Sequence, residues 1–170
     1  KFILNHPLNK NTRFKSLFRY IKWQISSRIF DAEYIFPFVN DTCFIAKNGM
    51  YSCLGNYYVG LMSFEEMSFL LHFLRKNDLF VDVGANVGTF TNLGSGVIGA
   101  ESIAIEPEPK AYKYLTKNLL INNITSKVKL MNLVISNRNE QPIPFVIDGS
   151  SAINHVQRLN EDSEKVQMVN

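Results

Sequence analysis

The chain has 170 residues, of which 46% are hydrophobic and 19% charged, a composition typical of globular proteins. This length accommodates one domain and an appendage, and the net charge of +3 is too small to indicate a nucleic-acid partner. Cys43 and Cys53 form no C-x-x-C motif and no zinc pattern with the three histidines. We therefore expect no metal site, and free thiols in a reducing, cytoplasmic compartment. No stretch resembles a membrane-spanning helix or a signal peptide, although a chain that begins with Lys1 leaves an upstream targeting segment open.

The first 30 residues carry seven basic side chains and no acidic one. Apolar residues at helical spacing predict an amphipathic helix over residues 11–29; they are Phe14, Leu17, Phe18, Ile21, Ile25 and Ile29. The favoured interpretation is that this stripe packs on the domain while the basic face is solvated. The alternative is a peripheral contact with an acidic membrane or another anionic surface.

Short strands and turns are expected over residues 31–62, with strand candidates at 36–39 and 43–46. Ser63 and Glu66 then form the pattern of a capping box, which predicts a helix through about residue 76. We divide the chain accordingly into an N-terminal appendage, residues 1–62, and a Rossmann-like domain, residues 63–170.

The most informative stretch is FVDVGANVGTF at residues 80–90. An apolar run, an acid, two glycines and a new apolar pattern predict a buried parallel strand, a tight turn and the start of a helix. A second apolar run, SIAIEP, ends on Glu106, about 20 residues further on, where nucleotide-binding units hold ribose hydroxyls. The two pieces predict a ligand that contains a nucleoside.

The turn spacing, D-x-G-x-N-x-G, differs from the G-x-G-x-x-G of dinucleotide folds, and the chain contains no P-loop. Asp82 beside the turn would repel a pyrophosphate but attract an ammonium group. S-adenosylmethionine (SAM) carries an ammonium, a carboxylate, a sulfonium and a ribose. We expect Asp82 to bind the ammonium, the turn amides the carboxylate and Glu106 the ribose diol.

These segments resemble the FkbM family of SAM-dependent methyltransferases. The similarity covers residues 80–91 and 103–109, Leu115-x-x-Asn118, Asn122, and the flanking segments 57–61, 64–67 and 154–156. It implies an α/β fold, a class I (Rossmann-like) methyltransferase sheet with helices on both faces, and O-methylation of a hydroxyl on a sugar, glycan or secondary metabolite. The predicted cofactor-binding residues are Asp82, Gly84, Ala85, Asn86, Gly88, Thr89, Phe90, Glu106, Pro107 and Ser136.

The downstream elements follow the same scheme. Glycines at 94, 96 and 99 predict a poor helix that ends near residues 93–97, and Pro107-Glu108-Pro109 opens a helix that stops at Asn122. Residues 127–135 predict a third parallel strand, whose end at Ser136 approaches the adenine, and residues 142–148 an antiparallel strand. Because the resemblance implies about seven strands, we expect the domain to be incomplete at its C-terminus.

A hydroxyl acceptor needs a base, and the candidates are His155, Asp148 and Glu65. His155 is favoured because its unperturbed pKa lies near neutrality, although a structural hydrogen bond would explain it equally well. Two other functions stay open: an NAD(P)-dependent oxidoreductase, and a non-catalytic SAM-binding or scaffold protein.

Overall fold

The computed structural model describes residues 1–135 and three strands at 143–146, 155–156 and 166–169. The helices of these residues are α1 (Phe2–Asn5), α2 (Arg13–Ile29), α3 (Tyr51–Val59), α4 (Phe64–Phe73), α5 (Thr89–Thr91) and α6 (Pro109–Ile121). A π-helical segment, Asn92–Ile98, continues α5, and 3₁₀ turns occupy Pro7–Asn9 and Thr125–Lys127. The strands are β1 (Tyr34–Pro37), β2 (Cys43–Ala46), β3 (Leu79–Val83), β4 (Glu101–Ile105), β5 (Val128–Met131), β6 (Ile143–Val146), β7 (His155–Val156) and β8 (Val166–Val169).

The centre of the fold is a parallel sheet in the order β3-β4-β5. Leu79 pairs with Glu101 at one end of β3, and Val83 pairs with Ile105 at the other. Because each strand returns through a helical crossover, all three carboxyl ends lie at the same edge. The predicted α/β order is confirmed, although β5 ends at Met131 rather than continuing to residue 135.

The helices of this region pack on one face of the sheet. Leu115 and Leu119 of α6 are fully buried in a cluster with Ala104 and Val128. On the opposite face of β3, alternate side chains are half or more exposed; they are Leu79, Val81 and Val83. The apolar core of this region therefore lies between the sheet and α6, on one face of the sheet.

The helix after the first turn is as poor as its glycines predicted. Only Thr89–Thr91 is α-helical, and the chain then widens into the π-helix, which ends at Ile98. A Cβ added at Gly94 would lie 3.0 Å from Phe80 Cδ1. Glycine at this position therefore lets the segment approach β3 closely, which offsets part of its low helix propensity.

Both short strands predicted in the N-terminal part are present, with β1 beginning two residues earlier than expected, and they pair as an antiparallel hairpin. The helix α3 was not predicted. Tyr57, Tyr58 and Val59 favour strands in isolation, but α3 buries Cys53 and Leu54 against the hairpin. Tertiary packing thus overrides local propensity in residues 51–59.

The bounds of α2 agree with the prediction, but its predicted orientation is wrong. Five of the six predicted stripe residues face outward: Phe14, Phe18, Ile21, Ile25 and Ile29 are between 46% and 90% exposed, whereas Leu17 is half-buried. Trp23, which lies off the stripe, is only 4% exposed and packs edge-on against Tyr34 and Phe36, with ring centroids 5.2 Å apart in both pairs. The large indole surface fixes the face of the helix that packs.

The predicted capping box is not formed. The helix α4 begins after Ser63, but the Ser63 side chain accepts no capping hydrogen bond. Its ψ of 75° departs from the extended conformation that an N-cap side chain needs to reach the first turn. The helix also ends at Phe73, three residues before the predicted end.

A second sheet, in the order β7-β6-β8, is antiparallel. The antiparallel strand expected at residues 142–148 corresponds to β6, which pairs with β7 and β8 and not with β5. In the described part of the chain, no helix combines the length and the apolar character that crossing a membrane requires.

Candidate functional site

The turn between β3 and α5 alternates ordinary and left-handed backbone. Gly84, Asn86 and Gly88 have φ values of 76°, 53° and 89°, a region that glycine and asparagine tolerate better than other residues. This alternation explains the G-x-N-x-G spacing. Asn86 supports its own conformation because its Oδ1 accepts the N–H of Val87 at 2.8 Å.

The two glycines of this turn have different surroundings. A Cβ at Gly88 would lie 2.6 Å from Leu115 Cδ1, so α6 packs directly on the turn. A Cβ at Gly84 would meet no heavy atom within 4 Å. The turn is therefore rigidly supported on one side and open on the other, as a ligand-binding turn requires.

The five N–H groups of residues 84–88 all donate within the protein. Their acceptors are, in order, the carbonyl oxygen of Ile105 twice, Glu106 Oε2, Asn86 Oδ1 and the carbonyl oxygen of Ala85, at 2.7–2.9 Å. The turn is thus joined to the end of β4. These five N–H groups are therefore engaged within the protein. The predicted binding of a ligand carboxylate at the turn would have to use the N–H groups of residues 89 and 90, the first two residues of α5.

Asp82 lies at the end of β3 and is 9% exposed. Its Oδ2 accepts the Thr91 hydroxyl at 2.5 Å, and the backbone N–H of Thr91 also donates to this carboxylate. Burial raises the pKa of Asp82, and the bonds from Thr91 oppose that rise. Asp82 therefore holds the start of α5 in place from a position that solvent hardly reaches.

Glu106 lies at the end of β4 and is 5% exposed. Its Oε2 accepts the N–H of Asn86 at 2.7 Å, and its Oε1 accepts the N–H of Glu108 at 2.8 Å. Burial raises the pKa of Glu106; these two bonds lower it, and the charges of Glu108 and Asp82 raise it further. Asp82 and Glu106 are thus close enough to interact, at the same edge of the sheet.

No protein-family model and no curated protein sequence matches the chain. Solved structures do match. PH0793 of Pyrococcus horikoshii is 19% identical with a TM-score of 0.50 over 67% of this chain and 40% of its own. TYW2 of P. horikoshii, solved in complex with MeSAdo, is 16% identical with a TM-score of 0.50 over 81% of this chain and 53% of its own.

The chain has the class I methyltransferase fold. This confirms the predicted class I α/β fold, although the helices of the described residues pack on one face of β3-β4-β5 rather than on both. The chain spans 40% and 53% of the lengths of these two structures. In this fold, ligands bind beyond the carboxyl ends of the parallel strands, which is the edge that carries Asp82, Glu106 and the turn between them.

The methyltransferase fold here places three buried carboxylates together without a cation. Asp82, Glu106 and Glu108 are each less than one-tenth exposed, and Glu108 caps α6 by accepting the N–H of Ala111. The ion pairs of the described residues join Lys47 to Asp31 and Lys117 to Glu33, so neither reaches this cluster. Buried negative charge without a counter-ion is costly even when it is hydrogen-bonded, and the edge is therefore suited to a positively charged ligand.

Two asparagines of α6 connect the turn between β3 and α5 to the N-terminal hairpin. Asn118 donates to the carbonyl of Val87 at 2.8 Å and accepts the N–H of Ile45 at 2.7 Å. Asn122 accepts the N–H of Cys43 at 2.9 Å and donates to its carbonyl at 2.8 Å. These side chains bond the edge of β2 and hold the turn, so the appendage contributes to the geometry of the site.

A cavity of about 600 Å³ lies beside the hairpin, between α2 and α3. Its walls include Tyr20, Trp23, Tyr51 and Tyr58, and they contain no carboxylate and no histidine. Ser52, next to Tyr51, donates to Asn86 Oδ1 at 3.3 Å. The cavity thus lies close to the turn, but the described residues that line it include no carboxylate and no histidine, the residue types predicted as the base.

The remaining predicted residues are those expected to bind the cofactor and those expected to act as the base. Thr89 is buried and Phe90 half-buried at the start of α5, and the carbonyl of Pro107 accepts the side-chain amide of Asn132 at 3.1 Å. Glu65 is exposed on α4, and no described hydrogen bond or ion pair links it to the turn. His155 forms part of β7, while Ser136 and Asp148 lie outside the described residues. The predicted cofactor-binding residues between 82 and 107 lie at one edge of the sheet, and both their role and the identity of the base stay predictions.

Sequence reasoning missed the role of Thr91, whose hydroxyl orients Asp82. Thr91 lies nine residues after Asp82 in the chain, so sequence reasoning had no local pattern that links the two side chains. It also did not predict that Asn118 and Asn122 bond to β2. The signal was present, since two asparagines four residues apart share one face of a helix.

Proposed function

We propose that this chain binds SAM and belongs to a SAM-dependent methyltransferase that acts on hydroxyl groups. The observation that carries the proposal is a cluster of buried carboxylates, Asp82, Glu106 and Glu108, that no ion pair of the described residues reaches. It lies beside an open Gly84, at the edge of the sheet where ligands bind in this fold. A ligand with fixed positive charge would offset the electrostatic cost of this cluster. SAM has a sulfonium and an ammonium on an adenosyl framework.

The donors and acceptors at this edge fit the parts of SAM. Each Glu106 oxygen accepts one backbone N–H and keeps capacity for one further hydrogen bond, which matches the two hydroxyls of a ribose diol. Asp82, with one oxygen engaged by the Thr91 hydroxyl, is placed to attract the ammonium. The first-turn amides of α5, at Thr89 and Phe90, suit the carboxylate.

An NAD(P)-dependent oxidoreductase fits the same edge less well. A pyrophosphate would bring negative charge close to buried carboxylates whose pKa values burial already raises. It also needs free turn amides, whereas the N–H groups of residues 84–88 are bonded within the protein.

The acceptor is a proposal that rests on the resemblance to the FkbM family: a hydroxyl on a sugar, glycan or secondary metabolite. Bound SAM supplies a methyl group on a good leaving group, so the protein needs chiefly to align the acceptor and to take up its proton. We propose His155 as that base, with Asp148 and Glu65 as the other candidates. Because Glu65 has no described contact with the turn, a SAM-binding protein without catalysis is the second candidate function.

The decisive experiment is calorimetric titration of the chain with SAM, S-adenosylhomocysteine, NADH and NADPH at neutral pH. The proposal predicts saturable binding of both adenosyl compounds and none of either nicotinamide cofactor. Binding of NADH in preference to SAM would overturn it. Transfer of a labelled methyl group from SAM to hydroxylated acceptors then separates an enzyme from a SAM-binding scaffold, which would bind both adenosyl compounds without turnover.

A further inference from the structure

The outer face of α2 carries an apolar stripe that the described part of the chain leaves uncovered. We define the stripe as Phe14, Phe18, Ile21, Ile25 and Ile29, which repeat at the spacing of one helix face. Its two ends are 15 residues apart, so the stripe is about 22 Å long. Five large apolar side chains in one line exceed the scattered exposure that is normal for a monomer surface.

The edges of the stripe are basic. Helix geometry places Lys15 and Lys22 along one edge and Arg28 along the other, and all three are exposed. None of them forms an ion pair within the described residues. Residues 1–30 contain seven basic and no acidic side chains, so the whole region presents one sign of charge.

The opposite face of α2 is anchored to the rest of the chain. Trp23 is buried between the rings of Tyr34 and Phe36. Arg19 donates to the carbonyl of Tyr57 at 3.4 Å and lies over its ring, 5.9 Å from the centroid. Turning the stripe inward would expose the indole, and the outward orientation is therefore a property of the fold.

We propose that the stripe is a docking surface for an anionic lipid bilayer. A helix with an apolar line between two basic edges can insert its apolar side chains below the head groups while its cations contact lipid phosphates and carboxylates. A second copy of the chain fits less well, because pairing two stripes would bring basic edges together without an acid from residues 1–30 to neutralise them.

Vesicle sedimentation tests the apolar part of this surface. The wild-type chain should bind vesicles of phosphatidylcholine mixed with phosphatidylserine, and bind vesicles of phosphatidylcholine alone much more weakly. The double variant Phe14→Ser/Phe18→Ser should bind the mixed vesicles about 100-fold more weakly. The matched control is Phe69→Ser/Phe73→Ser, which removes two similarly exposed rings from α4 and should leave vesicle binding unchanged.

The charged part has its own pair of variants. Lys15→Gln/Lys22→Gln should weaken binding to the mixed vesicles about tenfold or more, whereas Lys110→Gln/Lys113→Gln, on exposed positions of α6, should not. Added salt should reduce wild-type binding. Since all these side chains are exposed, the variants should keep the wild-type melting temperature, which thermal denaturation checks.

Three results would overturn the proposal. The first is equal binding to neutral and anionic vesicles, or to neither. The second is equal loss of binding in the stripe variants and in the α4 control. The third is a dimer in sedimentation velocity that Phe14→Ser/Phe18→Ser converts to a monomer without any vesicle binding by the wild type; the occupant would then be a second copy.

Discussion

The Glu106→Ala variant should show two separate losses, one in stability and one in ligand affinity. In the folded chain the carboxylate accepts the N–H groups of Asn86 and Glu108 at 2.7 and 2.8 Å. Alanine leaves both donors without this acceptor. The proposed contact with the ribose diol is lost at the same time.

The two magnitudes follow from the two observed hydrogen bonds to the N–H groups of Asn86 and Glu108 and from two proposed hydrogen bonds to the ribose hydroxyls. A buried N–H that loses its acceptor costs about 1–3 kcal/mol, so the loss of two should lower the free energy of unfolding by about 2–6 kcal/mol, the lower end applying if water enters the vacated space. Two hydroxyl bonds to a charged acceptor contribute about 3 kcal/mol or more. The Kd for SAM should therefore rise about 100-fold.

Urea unfolding and calorimetric titration with SAM measure the two losses independently. Glu101→Ala is the matched control, because Glu101 is exposed at the other end of the same strand, and it should change neither quantity appreciably. If Glu106→Ala lowers the stability but keeps the wild-type affinity for SAM, the ribose contact is refuted and Glu106 only fixes the turn.

Four further predictions test other parts of the site. Asp82→Asn should weaken SAM binding about tenfold or more while keeping or raising the melting temperature at neutral pH. Because burial raises the pKa of Asp82, its ionisation in the folded chain costs stability, and this cost disappears below the unfolded pKa. A lower melting temperature for the variant would contradict that reasoning. SAM affinity, followed by titration at several pH values, should fall as acidification protonates Asp82 and Glu106, and it should do so at higher pH than for exposed carboxylates; an affinity independent of pH would argue against carboxylate contacts. Gly88→Ala should lower the free energy of unfolding by about 2 kcal/mol or more, since φ is 89° and the new Cβ would lie 2.6 Å from Leu115 Cδ1; chemical denaturation checks this. His155→Ala should keep the wild-type Kd for SAM and slow methyl transfer, and the pH profile of the rate should lose its limb near neutrality; an unchanged rate assigns the base elsewhere.

The sequence allowed the turn between β3 and α5 to be predicted because its residue types have few structural alternatives. An apolar run that ends in an acid and meets glycines is a strand followed by a turn, and Asn86 between Gly84 and Gly88 is required by the alternating positive φ values. What the sequence did not show is how the turn amides are used. Three of these five N–H groups donate to the end of β4, at the Ile105 carbonyl and the Glu106 carboxylate, which only the parallel register brings within reach.

The orientation of α2 shows a different limit of sequence reasoning. Periodicity correctly identified the residues that share a face, because that depends only on the helix repeat. It does not indicate which face packs, and here Trp23 outweighs five smaller side chains by packing against the aromatic rings of β1. The helix α3 was missed for a related reason, since its burial against the hairpin is a long-range property. The boundary at residue 62 and the identity of the base stay predictions.

The central claim is that Asp82 and Glu106 together hold one cationic adenosyl ligand. A crystal structure of the chain grown with SAM tests it most directly. We predict both ribose hydroxyls within hydrogen-bond distance of the Glu106 carboxylate and the ammonium group beside Asp82. A SAM molecule bound elsewhere, or one whose ribose and ammonium contact neither carboxylate, would contradict the account.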